Sequence, residues 1–249
     1  MNNITYAFLL CSLAGLSTML GCIVIFIKNK SNKILIGSLA FAAGVMSTVS
    51  ITDLIPESVN YLNDYFVAFP KYIIMFIFII IGIILSMTID KYLPDNKVHN
   101  SKLYRVGIIS MLAIILHNIP EGIATFMTSS TNLKIGISLS IAIALHNIPE
   151  GISISMPIYS STKSKSRAIG YTFISALSEP FGALIAFLFL KDIMNNMFMG
   201  MLLSIIAGIM LHISFYELIP ESLSYNHKKI SVIWFMIGVI FMIINHFVF

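Results

Sequence analysis

Long apolar stretches alternate with short polar connections along the whole chain. Five ranges contain no Asp, Glu, Lys or Arg: 1–27, 34–52, 72–89, 193–216 and 230–249. A helix needs about 20 such residues to cross the hydrocarbon core of a membrane. With further apolar runs that single acids interrupt, the pattern predicts an all-α integral membrane protein with eight transmembrane helices. The predicted helices 1 to 8 span about 4–27, 34–58, 71–90, 104–128, 134–160, 166–190, 197–223 and 230–248.

The composition agrees with this fold class. Of the 249 residues, 57% are hydrophobic and 10% are charged, whereas soluble domains carry about 25% charged residues. So few charges cannot cover a globule of this size, and the apolar surface must therefore face lipid. The connections leave no room for a soluble domain, so we expect residues 1–249 to form one transmembrane domain. The first positive charge, Lys28, follows the first apolar run, which is the wrong order for a cleavable signal peptide.

The basic residues predict the orientation. With the N-terminus outside, 12 of the 15 Lys and Arg residues fall in cytoplasmic connections, and only Lys71, Lys134 and Lys191 remain outside. The positive-inside rule therefore predicts both termini outside (N-out, C-out). Since the net charge of +4 is explained by topology, we expect no nucleic-acid partner. The abundance of Ile, Lys and Asn points to an AT-rich bacterial source, and hence to the plasma membrane (the bacterial inner membrane).

Two internal repeats are visible. The segment HNIPEGI at 117–123 recurs at 146–152 on the next predicted helix, and DLIPES at 53–58 is echoed by ELIPES at 217–222. In the predicted topology the members of each pair run in opposite directions across the bilayer. That is typical of an inverted repeat, with substrate bound near the midplane where the halves meet. The implied layout is 3+2+3, with helices 1–3 mirrored by helices 6–8 around the central pair 4 and 5.

The acidic residues are concentrated in the membrane. Seven of the 11 fall within predicted helices: Asp53, Glu57, Glu121, Glu150, Glu179, Glu217 and Glu221. No Lys or Arg lies clearly inside a predicted helix. Intramembrane carboxylates without cationic side-chain partners indicate a path for ions or protons. Because these charges are all negative, we expect the transported species to be a cation.

The spacing of the repeated motif indicates which cation. His117 and Glu121 are four residues apart and share a helix face, as do His146 and Glu150. Asn118 and Asn147 lie at the edges of these two faces. Glu179 on helix 6 is predicted to lie about as deep in the membrane as the two His–Glu pairs. The predicted metal site comprises His117, Asn118, Glu121, His146, Asn147, Glu150 and Glu179. Mixed nitrogen and oxygen donors suit zinc, iron, manganese or cobalt, and one or two divalent ions would relieve the repulsion among three carboxylates.

Prolines and glycines within the motif support a cavity at this depth. Pro120 and Pro149 each remove a helix hydrogen bond, and the freed backbone is tolerated in a membrane only where it lines a cavity or is covered by protein. Gly122 and Gly151 are expected to let the two central helices approach closely.

Other polar residues are candidates for the path to and from the site. Those near the outer end of helix 2 would bind arriving metal, and those near the inner end of helix 7 would bind departing metal, unless they are merely helix-end charges at the interface. A histidine on helix 7 is a candidate relay ligand. The pathway candidates are Asp53, Glu57, His212, Glu217 and Glu221. The remaining histidines are expected to be solvated or interfacial: His99, His227 and His246.

On the doubled HNIPEGI motif, the chain resembles the ZIP (Zrt/Irt-like) family of metal transporters, and within it the bacterial ZupT-like members. The resemblance covers the whole chain. It implies that the seven residues named above form the transport site, and that Zn²⁺ is imported with Fe²⁺, Mn²⁺, Co²⁺ or Cd²⁺ as competitors. The metal would be cargo rather than a cofactor, and a homodimer would form. Family members are thought to slide helices 1, 4, 5 and 6 against the rest.

The sequence departs from the family pattern in two places. Residues 91–103 hold only His99, where many relatives have a long His-rich loop between helices 3 and 4. Asn147 stands where some relatives have Asp, which puts a second, weaker metal site in question.

Two other functions stay open at this stage. A metal held by His and Glu can activate water, as an intramembrane metal-dependent enzyme would require, although the chain has no HExxH motif. The other is a cation channel or proton-coupled carrier without a transition metal, whose transport would survive loss of both His117 and His146.

Overall fold

The computed structural model describes residues 3–27, 32–66, 69–92, 101–189 and 196–248. Within these ranges eight helices are long and apolar enough to cross a membrane, which confirms the predicted fold class. They are α1 (Asn3–Phe26), α2 (Lys33–Leu62), α3 (Phe69–Tyr92), α4 (Lys102–Thr131), α5 (Leu133–Thr162), α6 (Lys165–Phe189), α7 (Asn196–Leu223) and α8 (Lys228–Val248). Several lysines used to predict orientation lie outside the described ranges, namely Lys28, Lys30, Lys97 and Lys191, and so does His99, which was expected to be solvated or interfacial.

The helix bounds agree with the predicted spans to within four residues, the largest difference being the end of α2 at Leu62 instead of 58. The residues after Pro56, Glu57 and Asn60 among them, include no further helix breaker. The helix therefore continues to the turn at Asn63. Glu57 is therefore inside α2 rather than at its end.

The helices pack in two groups. In one, α4 packs along α5 and α6, and α1 packs against all three. In the other, α2 packs along α8 and α3 along α7, with α2 also contacting α7. The groups meet chiefly where α2 lies against α5. The helices that carry the predicted metal ligands therefore all belong to the first group.

Glycines lie at the closest helix crossings, but Gly122 and Gly151 do not lie at the crossing of α4 and α5 where they were expected. A Cβ atom added to Gly122 would lie 2.0 Å from the carbonyl oxygen of Glu179 on α6, and one added to Gly151 would lie 1.9 Å from that of Thr18 on α1. The expectation that these glycines join α4 to α5 is therefore wrong. One position along a helix is a rotation of about 100°, so each glycine points away from the face that carries the neighbouring Glu.

The crossings come in corresponding pairs. Gly182 of α6 packs on the carbonyl oxygen of Ile119, and Gly21 of α1 packs on that of Ile148, at Cβ distances of 2.1 Å and 2.6 Å. Ile119 and Ile148 hold the same place in the duplicated motif. In the other group, two glycines join α3 to α7 and two join α2 to α8: Gly82, Gly208, Gly44 and Gly238. Matched crossings of this kind are what a 3+2+3 inverted repeat predicts.

Two wide turns also occur at corresponding places. Ser50–Leu54 in α2 and Ile213–Leu218 in α7 are π-helical, and each ends at the Leu that begins an LIPES segment. The ring of a proline clashes with the carbonyl group four residues earlier. A π-turn contains one residue more than an α-turn, and this additional residue leaves room for the ring. Asp53 and Glu217 both lie in these turns, and π-turns are frequent at functional sites.

Candidate metal centre

The duplicated motif places its side chains in the interior between α4 and α5. Both helices remain α-helical through Pro120 and Pro149. His117 is 1% exposed, His146 5% and Glu150 1%. Burial of charged and imidazole groups at this depth is costly unless each has a partner, so their mutual distances decide what the cluster can bind.

Three contacts hold the cluster together, and two of them join the two motifs. His117 Nε2 lies 3.6 Å from Glu121 Oε2 within α4, and 3.6 Å from Glu150 Oε1 across on α5. His146 Nε2 lies 3.0 Å from Glu121 Oε1. The ligand atoms of His117, Glu121 and His146 all lie within 4.8 Å of one another. The two histidine–glutamate faces therefore meet, as the spacing predicted.

The distances between these nitrogen and oxygen atoms match those between neighbouring ligands of a zinc ion. Nitrogen and oxygen ligands bind zinc at about 2.0–2.1 Å in tetrahedral geometry, which puts neighbouring ligand atoms about 3.3 Å apart. The three measured separations, 3.0, 3.6 and 3.6 Å, lie on either side of that value. The donor atoms are thus already at the spacing of a first coordination sphere.

Glu121 faces both histidines with different oxygens. Its Oε1 lies next to His146 Nε2, and its Oε2 lies next to His117 Nε2. A carboxylate oriented in this way can bridge two ions, one on each imidazole, or hold a single ion with either oxygen. Glu150 adds its carboxylate on the side of His117.

The cluster is rich in polar atoms that lack a hydrogen-bond partner. Among the described residues, 17 buried side-chain nitrogen and oxygen atoms have none, and ten of them belong to the seven predicted ligands. Both carboxylate oxygens of Glu150 and both polar atoms of the Asn118 side chain are included. Leaving such groups unsatisfied costs about 1–3 kcal/mol each, and more when they are charged. A bound cation would satisfy the carboxylates and imidazoles together.

Glu179 and Asn147 adjoin the cluster as a hydrogen-bonded pair. Asn147 Nδ2 donates to Glu179 Oε2 at 2.9 Å and to the carbonyl oxygen of Ala14 at 2.9 Å. Both side chains are fully buried, and Asn147 Oδ1 and Glu179 Oε1 have no partner. Asn147 therefore holds the helix-6 carboxylate in place and still presents an amide oxygen.

A cavity of about 780 Å³ connects this cluster with one face of the bundle. Glu121 and His146 lie at its inner end, and Asp53, Glu57 and Lys134 are among the residues that line it. It opens at the end that carries the α4–α5 turn, which the charge distribution predicts to be extracellular. Two of the pathway candidates thus line a route to the predicted site.

His246 is a member of this route that sequence reasoning missed. Its Nδ1 lies 2.6 Å from Asp53 Oδ1, and both residues line the cavity. The expectation of a merely solvated or interfacial histidine overlooked this contact. The signal was the position of Asn245 and His246 in the last turn of α8, which the predicted topology places on the same side of the membrane as Asp53.

The candidates at the opposite end have different surroundings. Glu221 is 4% exposed, and its Oε2 lies 2.8 Å from Lys102 Nζ at the start of α4. Arg105 Nε lies 2.5 Å from Asp90 Oδ1 and so joins α4 to α3. Glu217 is half-buried in its π-turn. Ion pairs therefore hold α4 to the second helix group at the end that is predicted to be cytoplasmic.

His212 lies apart from the metal cluster. Its Nδ1 is 2.9 Å from Ser86 Oγ on α3, and its ring stacks on Tyr216 at 5.0 Å. The structure thus places this histidine at the contact between α3 and α7, where it packs. It does not bring His212 to His117 or His146.

Eight membrane-spanning helices around a buried cluster of imidazole and carboxylate groups, open to one face, define a membrane protein with a candidate metal-ion site. Comparison with known proteins agrees with this class. The family model for ZIP zinc transporters matches residues 94–246. The chain is 36% identical to "Zinc transporter ZupT" of Clostridium perfringens, over 98% of this chain and 96% of the relative. It is 38% identical to the ZupT of Streptococcus mutans, over 96% of each, and 37% identical to that of Oceanobacillus iheyensis, over 98% of each.

The chain therefore belongs to the ZIP zinc transporter family. It is a multi-pass protein of the bacterial plasma membrane. The relatives above are all named as zinc transporters, and the family is a transporter family, so the chain is a transporter and not an enzyme.

Proposed function

We propose that this protein imports zinc into the cytoplasm through the cluster between α4, α5 and α6. The observation that carries the proposal is the position of Glu121, whose two carboxylate oxygens face His117 and His146 at 3.6 Å and 3.0 Å. Intramembrane carboxylates are rare and are retained where an ion passes. The metal is cargo, and the proposal requires no resident cofactor.

The ligand set is proposed to be the seven residues named from the sequence. His117, Glu121 and Glu150 would hold one ion, and His146 with the other oxygen of Glu121 would start a second position. Asn118, Asn147 and Glu179 would complete the coordination from the side of α6 and α1, supported by their unpartnered buried oxygens. The charge of the site permits either occupancy. With the three carboxylates of Glu121, Glu150 and Glu179, one divalent ion leaves a net charge of −1 and two leave +1.

The path is proposed to begin at Asp53 and His246. Metal would pass Glu57 along the cavity and lose water to the imidazoles and carboxylates at its end. Departure would follow the opposite end, past Glu217 and Glu221, once the Lys102–Glu221 contact has opened. Movement of one helix group against the other would carry metal along this path. The reason is that α4, α5 and α6 carry the ligands, while α2 and α7 carry the candidate pathway residues at its two ends.

Other ions of similar chemistry are expected to compete. Imidazole and carboxylate ligands also bind Fe²⁺, Mn²⁺, Co²⁺ and Cd²⁺, and affinity alone does not select among them. We further propose that residues 1–249 act as one transport domain. The homodimer implied by family resemblance remains a prediction.

An oxygen-only cation carrier is the remaining alternative, and it differs in one respect. Its transport would not need His117 or His146, whereas imidazole nitrogen is central to the proposed site. The test is radioactive zinc uptake into proteoliposomes by the wild type and by the double variant His117→Ala/His146→Ala, with Mn²⁺ and Fe²⁺ as competitors. We expect the double variant to lose uptake. Retained uptake with unchanged competition would favour the oxygen-only carrier.

A further inference from the structure

A second recess, which shares no lining residue with the cavity at the metal cluster, lies between α1, α2, α5 and α8. Its volume is about 440 Å³, and it opens at the end of the bundle where α2 and α8 begin. We call it the α1–α8 groove. It is lined by Val24, Ile27, Lys33, Ile34, Gly37, Ser38, Phe41, Ile152, Ile230 and Trp234. Apart from Lys33 and Ser38 these side chains are apolar or absent, so the groove suits a hydrocarbon chain with a polar group at one end.

The charge around the opening is positive. Lys33 is the first residue of α2 and is exposed, and the exposed Lys228 and Lys229 directly precede Ile230 at the start of α8. The described residues that line the groove include no acid. The positive-inside distribution places this end at the cytoplasmic leaflet, where anionic lipids attract each nearby Lys or Arg by about 1 kcal/mol. Basic pockets between transmembrane helices at this level are suited to anionic headgroups.

Trp234 sits where the groove meets the membrane interface. Its indole ring rests on Gly37, whose added Cβ would lie 3.0 Å from Trp234 Cδ1, and it is edge-on to Phe41 with centroids 6.3 Å apart. The side chain is 43% exposed, and its indole N–H donates to none of the described residues. Tryptophan at this depth usually directs its N–H to the polar region of the lipid.

We propose that the α1–α8 groove is a binding site for one anionic phospholipid of the cytoplasmic leaflet. An acyl chain lies between Ile27 of α1 and Ile230 of α8, over the small residue Gly37. The phosphate lies at Lys33, with Lys228 and Lys229 adding to the positive potential. This site contains none of the proposed metal ligands, and the proposal does not rest on the transport function.

The chain itself supplies the probe, because Trp234 is its single tryptophan. The purified protein is placed in bilayers in which phosphatidylglycerol or phosphatidylcholine carries brominated acyl chains, and quenching of tryptophan fluorescence is recorded against the mole fraction of brominated lipid. The variant Lys33→Gln removes the charge at the groove. The matched control Lys71→Gln removes a charge on α3 at the other end of the bundle, where Lys71 bonds with Asn63.

We expect phosphatidylglycerol to quench wild-type Trp234 at lower mole fractions than phosphatidylcholine does. Lys33→Gln should lower the relative affinity for the anionic lipid about fivefold, the factor that corresponds to about 1 kcal/mol. Lys71→Gln should leave it unchanged. Equal quenching by both lipids in the wild type, or an anionic preference that survives in Lys33→Gln, would overturn the proposal. Protection of Trp234 from both lipids, with chemical cross-linking between copies, would also overturn it and assign the groove to a second copy of the chain.

Discussion

Glu121 of α4 and His146 of α5 meet across the central helix pair, with 3.0 Å between Oε1 and Nε2. The other oxygen of Glu121 faces His117 on its own helix. This arrangement makes Glu121 the residue on which the two halves of the site converge. A ligand shared by both halves couples them, so removing it should affect metal binding more than removing a ligand of one half alone.

The first prediction concerns Glu121→Gln. The amide keeps the size of the side chain but removes the charge that two imidazoles share, and we expect zinc affinity to fall at least about 100-fold, since even outer-shell changes cost 10–100-fold. Zinc at 100 times its Kd should stabilise the wild type by about 2.7 kcal/mol. Thermal unfolding in detergent with and without zinc measures both effects.

A folding defect would look different from this result. Without metal, Glu121→Gln should be at least as stable as the wild type, because it relieves repulsion among three buried carboxylates. The control Asp64→Asn, which removes an acid outside the cavity, should keep the full zinc-dependent stabilisation. A Glu121→Gln protein that zinc still stabilises as strongly as the wild type would contradict the proposed ligand role.

The second prediction concerns the route from outside. Asp53 and His246 are in contact at the wall of the cavity, 2.6 Å apart, and a negative charge in a narrow cleft raises the local concentration of cations. Asp53→Asn should raise the KM for zinc about tenfold with a smaller change in maximal rate, an effect that weakens as ionic strength rises. Initial uptake rates over a range of zinc and salt concentrations provide the measurement. A fall in maximal rate at unchanged KM would argue against a role at the entrance.

The third prediction concerns the glycine crossings. Alanine at Gly122 would place its Cβ 2.0 Å from the carbonyl oxygen of Glu179, and because the obstacle is backbone, α4 and α6 must separate. We expect a loss of about 1–3 kcal/mol, as for other overpacked interiors. Among the described residues, none has an atom within 4 Å of a Cβ added to Gly170 of α6, so Gly170→Ala should gain up to about 1 kcal/mol from helix propensity.

Comparing the two alanine variants isolates the crossing from the general effect of the substitution. Unfolding midpoints in the same detergent should move in opposite directions, down for Gly122→Ala and up for Gly170→Ala. Because the same crossing positions Glu179, Gly122→Ala should also weaken zinc binding. Equal midpoints for the two variants would mean that α4 and α6 do not pack as closely as described.

The fourth prediction concerns the ion pair at the opposite end. Lys102 and Glu221 are 2.8 Å apart, but the lysine side chain is 61% exposed and the glutamate side chain only 5%. Removing Lys102 leaves a buried charge unpaired, whereas removing the charge of Glu221 leaves an exposed lysine in water. Lys102→Met should therefore destabilise the protein more than Glu221→Gln, and the double variant should be close to Glu221→Gln. Unfolding of all four proteins forms a double-mutant cycle, and equal effects of the two single changes would contradict this reading.

Tyr225 gives this glutamate a second partner. Burial, together with the Glu221 carboxylate, raises the pKa of Tyr225 to about 12. Its hydroxyl therefore stays protonated at physiological pH and can donate to Glu221 Oε1, 3.4 Å away. Glu221 therefore keeps one hydrogen-bond partner in Lys102→Met, so this variant should lose less stability than it would if the buried carboxylate had no partner at all.

Local pattern was sufficient for the spans and for the core of the site. Apolar runs, five of them free of charged residues, set the eight helices, and the four-residue spacing put His117 with Glu121 and His146 with Glu150 on common faces. The repeat of the motif on consecutive helices then implied that the two faces meet, because a turn as short as that between α4 and α5 makes them antiparallel neighbours.

Contacts between helices distant in sequence were not predictable in the same way. Gly122 was assigned to the wrong neighbour because sequence spacing gives the face of a helix but not the helix that covers it. His246 was overlooked since its partner, Asp53, is on α2, 193 residues away along the chain. The π-turns before Pro56 and Pro220 also depend on tertiary packing. The only hint in the sequence was the repeat of LIPES, which indicated that the two segments have similar local structure.

The central claim is that zinc crosses the membrane by way of the cluster around Glu121. The most direct measurement is radioactive zinc uptake into proteoliposomes, with zinc binding to the same preparations measured in parallel, for the wild type, Glu121→Gln and His146→Ala. We predict that the wild type accumulates zinc and that both variants lose binding and uptake together. Zinc that binds the wild type but never enters the vesicles, or uptake that continues in both variants, would contradict the claim.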